Sequence, residues 1–449
     1  MLFNSYIFIF LFLPTVFTGY FFLLSKKLVT GSKIWLVLGS LFFYSWWNIS
    51  FLPLILSSIL YNYATGTFLN KHSLDILSSK VQRKRKLVLT LGIVFNILLL
   101  GYFKYADFFI SSINNIFNLK IETLNIILPL AISFFTFQQI AYLVDSYKKG
   151  TREYNFLNYS LFITFFPQLI AGPIVHHEEM MPQFMNKNNY SKNYQNILKG
   201  LFIFSIGLFK KVIIADTFAI WANSGFDVSE TLNFFEAWAT SFSYAIQLYF
   251  DFSGYTDMAI GLALMFNIKL PINFNSPYKA INIQDFWKKW HITLSRFLRD
   301  YIYIPLGGNR KGELRTYSNL MTTFLIGGLW HGAGWTFLFW GFLHGLAMII
   351  HRFWLKLEFK IWTWLAWLTT FLFVNITWVF FRAKEWGDAK KVLSGMFSSD
   401  YYFSLEYTQI TYIGIMFIVI MFCKNSMELQ ETIKNKSIKL FLTLYFLGV

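Results

Sequence analysis

From Ser318 to Ile350 the chain carries no Asp, Glu, Lys or Arg, an uncharged run of 33 residues. About 20 apolar residues suffice to cross a bilayer as a helix. Only helices and closed barrels span membranes, because every backbone polar group must be satisfied internally there. A barrel would read as short alternating strands. Long apolar runs instead recur along the whole chain, which predicts an all-α polytopic membrane protein. Two histidines, His331 and His344, stand in this run, the first within Gly327-Gly328-Leu329-Trp330-His331-Gly332-Ala333-Gly334-Trp335. Thirteen uncharged residues precede His331. In a continuous helix rising about 1.5 Å per residue, its imidazole lies roughly 20 Å into the run. A polar group at that depth is costly and by default marks function.

Composition agrees: 55% of residues are hydrophobic and 14% charged, against about 25% charged in soluble domains. Aromatics reach 21%, and many Trp and Tyr lie near run ends, where interfacial belts form. The formal charge of +16 sits mostly in short loops between apolar runs. That follows the positive-inside bias and argues against nucleic-acid binding, since no basic domain stands apart. Cys423 is the only cysteine, which excludes an intrachain disulfide and a thiolate-rich metal site.

Spans are expected near residues 3–24, 33–49, 51–69, 87–105, 124–144, 156–175, 197–221, 234–266, 318–350, 361–381, 409–423 and 437–449. The reading is of roughly 11–12 embedded segments, some broken or re-entrant, around a central cavity in a single integral domain. Simpler helical packing at 1–150 and 351–449 flanks a core at 151–350. The first run lacks a cleavage pattern and reads as a retained helix. Three basic clusters are Lys26, Lys27 and Lys33; Lys71, Lys80, Arg83, Lys84, Arg85 and Lys86, diluted by Asp75; and Lys148, Lys149 and Arg152. Even numbers of crossings separate them, which puts all three in the cytoplasm and the N-terminus outside. The core is less regular. Pro167, Gly172 and Pro173 punctuate 156–175, Lys210 and Lys211 interrupt another run, and 234–266 is long for one crossing. Breaks at membrane depth need surrounding protein or a watery cavity.

Residues 284–300 are amphipathic, with Phe286, Trp290, Leu294, Phe297 and Leu298 at helical spacing. Eight Lys or Arg and three acids lie between Lys279 and Arg315. An interfacial helix on anionic headgroups explains this; so does a collar for an anionic ligand, built from Lys288, Lys289, Arg296, Arg299, Arg310 and Lys311. In a continuous helix, Trp287 and Ser295 share the face of His291. Asp251 and Asp257, six apart, do not share a face and read as cavity structure, partnered by Asn, Tyr or Lys. Trp330 beside His331 reads likewise. His176 and His177, with Glu178 and Glu179, lack the HExxH register, so no metal is expected. Gly307-Gly308-Asn309-Arg310-Lys311-Gly312 is no P-loop and reads as a turn. His344 reads as structural and His351 as interfacial.

Several of these stretches resemble the membrane-bound O-acyltransferases, in particular the bacterial branch that O-acetylates alginate, peptidoglycan and other surface polysaccharides. They are Tyr249-Phe250-Asp251-Phe252-Ser253-Gly254-Tyr255-Thr256-Asp257, Trp290-His291-Ile292-Thr293-Leu294-Ser295, Leu298-Arg299-Asp300-Tyr301-Ile302-Tyr303-Ile304-Pro305-Leu306-Gly307-Gly308-Asn309-Arg310 and Gly328-Leu329-Trp330-His331-Gly332. Pro167-Gln168-Leu169-Ile170-Ala171-Gly172-Pro173 and Gly207-Leu208-Phe209-Lys210-Lys211 fit the same branch. The likeness runs from about residue 1 to 390. It implies that His331 is the essential intramembrane histidine and His291 the second characteristic one. It also implies acetyl-CoA as donor substrate with no tightly bound cofactor, a bacterial inner-membrane location, a periplasmic esterase-like partner and a surface polysaccharide acceptor. On that reading His331 is a general base, and His291 orients the donor or stabilises charge at the thioester oxygen. A transporter or flippase of an envelope precursor is the competing class, since broken helices and intramembrane charge suit it too. A non-catalytic scaffold is a third.

Overall fold

The computed structural model describes residues 1–71, 79–148, 150–151, 153, 155–432, 440 and 443. Most of the expected span at 437–449, together with Asp75, Lys149 and Arg152, lies outside the described residues. Among those described, every regular element is a helix. Five helices are long and apolar enough to cross a membrane: Phe8–Ser25, Ile49–Asn70, Ser79–Phe117, Trp335–Lys356 and Thr363–Arg382. A sixth candidate, Tyr407–Phe422 with Ser426–Thr432, is bent by 57°. The protein is a multi-pass, all-α membrane protein.

The chain forms two compact units, residues 1–204 with 258–271, and residues 205–257 with 272–449. In the first, the rings of Phe3, Phe8, Phe43 and Phe166 pack on one another at 5.0–6.1 Å. A polar ladder is bonded within the same unit: Ser58 Oγ donates to Gln139 Oε1 at 2.9 Å, and Asn96 Nδ2 to Asn62 Oδ1 at 2.6 Å. Such side chains can be buried because each finds an internal partner. The irregularity expected around Pro167 is a break at Phe165, between helices Phe156–Thr164 and Phe166–Leu169. Gln168 Nε2 reaches back to the Phe162 carbonyl at 2.7 Å, satisfying an oxygen that the break frees. His176 and His177 face Asp145 and Glu153 at 3.5 and 3.3 Å, each with its own carboxylate. Among the described residues, no group of three or more His, Cys, Asp or Glu could hold a metal.

In the second unit seven helices matter for the chemistry: α1 (Phe234–Met265, whose last residues belong to the first unit), α2 (Ile283–Lys289), α3 (Ile292–Leu298), α4 (Glu313–His331), α5 (Trp335–Lys356), α6 (Thr363–Arg382) and α7 (Ser426–Thr432). Three differ from the sequence expectation. The uncharged run at 318–350 is two helices, α4 and α5, joined by a turn at Gly332–Gly334. A count of charges cannot show that turn, because its residues are Gly and Ala. The stretch at 234–266, expected to break, is continuous over 32 residues. The stretch at 284–300, whose apolar spacing suggested one helix, stops and restarts at His291.

Close backbone approach holds the α4–α5 hairpin together. A Cβ on Gly328 would lie 2.4 Å from the Phe337 carbonyl oxygen, and one on Gly341 would lie 2.5 Å from that of Phe324. Small residues let membrane helices touch in this way, and the contact gains dispersion energy over its length.

Candidate active site

His331 is the last residue of α4, at the apex of the hairpin rather than midway along a single span. Its half-buried ring meets Trp330 at 4.9 Å, Trp340 of α5 at 5.2 Å and Phe381 of α6 at 5.1 Å. The His291 ring lies 6.3 Å away. Trp330 contacts both, with 5.9 Å to His291. The two histidines, 40 positions apart in sequence, therefore form one site.

His291 has φ 43° and ψ 53°, the left-handed region that L-residues avoid at a cost of about 1–2 kcal/mol. Chain 273–275 compensates the broken backbone. Asn275 N–H donates to the Lys289 carbonyl at 2.9 Å, and Ile292 N–H to the Asn273 carbonyl at 3.0 Å. The Asn273 side chain does more. Its Oδ1 accepts from Thr293 N–H at 3.1 Å and from Thr293 Oγ1 at 3.0 Å, and lies 3.2 Å from His291 Nδ1. A backbone N–H can only donate, so this atom is the amide oxygen, and His291 Nδ1 must carry the proton. Nε2 is left with a lone pair. It is buried and finds no partner among the described residues. His291 is fully buried, and burial pushes its imidazole below the usual histidine range, to about 3. Its ring is therefore neutral, and Nε2 is an acceptor. A neutral ring in this tautomer cannot donate to a thioester oxyanion, so the geometry favours the orienting role over charge stabilisation. Nothing in the sequence marked Asn273, apart from its place in the Pro-flanked stretch Pro271-Ile272-Asn273-Phe274-Asn275-Ser276-Pro277.

A chamber of about 580 Å³ opens at Ser295, one helical turn beyond His291, with neither His291 nor His331 in its lining. Trp287, Ser295, Thr323 and Phe324 line it, and Arg299, Asn309, His351 and Arg352 are among its other walls. Ser295 ties it to the site: its N–H donates to the His291 carbonyl at 3.0 Å, and its hydroxyl is buried without a partner among the described residues. The shared face of Trp287, His291 and Ser295 is thus replaced by a chamber wall that the broken segment builds.

Of the six basic residues read as a collar, Arg299 alone lines the chamber. Lys288, Arg310 and Lys311 are exposed. Lys289 pairs with Asp285 at 2.8 Å, and Arg296 is half-buried outside the lining. His351, read from sequence as interfacial, and Arg352 contribute to the wall. The glycine-rich stretch is a turn, with positive φ at Gly307, Gly308 and Gly312 and the Gly308 carbonyl taken by Asn319 Nδ2 at 2.9 Å.

Asp251 and Asp257 each meet a lysine. Asp257 Oδ2 lies 2.6 Å from Lys210 Nζ and accepts from Ser426 Oγ of α7 at 2.6 Å, all three residues being buried. Asp251 pairs with Lys211 at 2.6 Å but is substantially exposed, with 45% of its side chain accessible.

Comparison with known proteins identifies the family of the region that carries these residues. Residues 148–384 match the model of the MBOAT, membrane-bound O-acyltransferase family. A peptidoglycan O-acetyltransferase of Helicobacter pylori is 56% identical over 88% of this chain and 80% of its own length. The probable alginate O-acetylase AlgI of Pseudomonas aeruginosa is 40% identical over 89% of this chain and 75% of its own. A teichoic acid D-alanyltransferase of Bacillus subtilis is 30% identical over 57% of this chain and 67% of its own. The matched region spans His291, His331, Asn273 and the chamber.

Proposed function

The chain belongs to the membrane-bound O-acyltransferase family, and from that premise we propose that it moves acetyl from cytoplasmic acetyl-CoA to the outer side of a bacterial inner membrane, for O-acetylation of a surface polysaccharide. It is a membrane-bound acyltransferase. The names of the relatives support peptidoglycan or alginate as the acceptor class; we further propose a periplasmic esterase-like partner that completes transfer. The observation that carries the reading is the pair of histidine rings 6.3 Å apart, with a chamber of about 580 Å³ opening one helical turn from His291 at Ser295.

The thioester enters the chamber, with Arg299 and Arg352 facing its anionic portion. The His291 Nε2 lone pair accepts a hydrogen bond from the donor and fixes its approach. His331 takes the proton of an incoming hydroxyl, from a sugar or a partner's serine, and that oxygen attacks the acetyl carbonyl. The carbon–sulfur bond breaks, and the leaving thiolate recovers the proton from the imidazolium, giving an ester and free CoA thiol. General base catalysis of this kind is worth about 10²–10⁴ in rate. Holding donor and acceptor in line supplies more.

Purified protein with labelled acetyl-CoA and peptidoglycan fragments or alginate oligosaccharide as acceptor tests the reading. Thiol release and acetyl transfer are expected from the wild type, with a loss of about 10²–10⁴ in His331→Ala of unchanged elution and melting behaviour. Acetyl transfer at the wild-type rate in that variant would sink the assignment. Substrate flux without thioester consumption would favour a transporter instead.

A further inference from the structure

We infer that Trp287, held by His344 and Thr377, sets the length of acyl chain that the enzyme accepts; this rests on the acyl-thioester reading above. Trp287 and Phe324 stand together in the chamber wall, their rings 5.2 Å apart. Behind Trp287 comes Trp340 at 5.8 Å, and Trp340 meets His331 at 5.2 Å. An acyl group lying in the chamber therefore meets the indole, and beyond it the Trp340–His331 contact.

The indole is fixed by a chain of hydrogen bonds that no motif marks. Trp287 Nε1–H donates to His344 Nδ1 at 3.2 Å. An indole N–H can only donate, so Nδ1 holds the lone pair and Nε2 carries the proton. Nε2 then donates to Thr377 Oγ1 at 3.0 Å, and the Thr377 hydroxyl donates to the Val374 carbonyl at 2.8 Å. Each member has one orientation available. His344 is fully buried, and the Trp340 ring lies 4.7 Å from its own. An imidazole so deep among aromatics is tolerated when both nitrogens are bonded. Here one of those bonds fixes a wall of the substrate chamber. A phenylalanine wall would need no such partner, whereas a bonded tryptophan cannot swing aside to admit a longer chain.

His344 and Thr377 are thus positioning residues, and Trp287 is the residue that meets the acyl group. One methylene in a well-fitted apolar pocket changes kcat/KM about 10–200-fold. Thiol release by the purified protein should be measured with acetyl-, propionyl- and butyryl-CoA in the presence of the same oligosaccharide acceptor. The wild type should prefer acetyl. Trp287→Ala should lower the acetyl-to-butyryl ratio of kcat/KM at least about tenfold, mainly through a lower KM for butyryl-CoA. Thr377→Val and His344→Phe should move the ratio the same way by less, and His344→Gln, which keeps a donor and an acceptor, should restore it. An unchanged ratio in Trp287→Ala overturns the inference while leaving the acyltransfer reading intact. If that variant does not fold, an unchanged ratio in Thr377→Val does the same. A wild type that releases thiol from none of the three thioesters overturns both.

Discussion

α1 runs unbroken for 32 residues past Asp251, Ser253, Gly254 and Asp257, whereas the helix of α2 stops at Lys289 and that of α3 starts at Ile292, on either side of His291. The difference lies in where the partners come from. The α1 carboxylates are met by side chains from elsewhere, Lys210 and Ser426 for Asp257 and Lys211 for Asp251, so the α1 backbone has no reason to yield. At His291 the backbone itself takes part. Its hydrogen bonds are exchanged with chain 273–275, and the left-handed residue is held by Asn273. Polar residues inside an embedded helix thus do not predict a break. The break comes where an imidazole must be aimed in a single tautomer, and the strain is local to that residue.

The sharpest way to break this comparison is to remove a partner from α1. Lys210→Met leaves Asp257 buried without its charge partner, which should cost about 3–5 kcal/mol and lower the melting temperature in detergent. No change in melting would mean that the pair does not support α1. A smaller effect, seen in catalysis, is expected from Asn273→Ala. Without the oxygen that fixes the tautomer, kcat should fall about 10–100-fold, the scale of losses when the group orienting a functional histidine is removed. A fall in melting temperature with kcat intact would reduce Asn273 to a structural residue. The smallest effect should come from Lys211→Met. Its pair with Asp251 is partly exposed, so about 0–1 kcal/mol is expected. A loss as large as that of Lys210→Met would show that exposure does not separate the two pairs.

The sequence made part of this visible. His331 and Trp330 stood out because an ionisable group in an uncharged run is conspicuous, and the motif around them carried the family. The lysines that meet Asp251 and Asp257 were within reach, since lysine was among the partners expected for them. Three things were hidden for physical reasons. The α4–α5 turn contains only small uncharged residues, so it resembles the helices on either side. The apolar spacing of 284–300 continues across His291, because both short helices bury the same kind of side chain. Asn273 and the chain from Trp287 through His344 to Thr377 depend on contacts between residues 18 to 57 positions apart, which no local pattern records.

The glycine contacts of the α4–α5 hairpin also have a mechanical consequence. With Gly328 and Gly341 backbone against backbone, the two helices act as one stiff beam, and splaying them would forfeit that contact along its length. The hairpin is then the least compliant wall around His331. Whatever gives way as substrates arrive and products leave must be aromatic side chains turning in place or the short helices around His291, with the histidine at the apex as the fixed point.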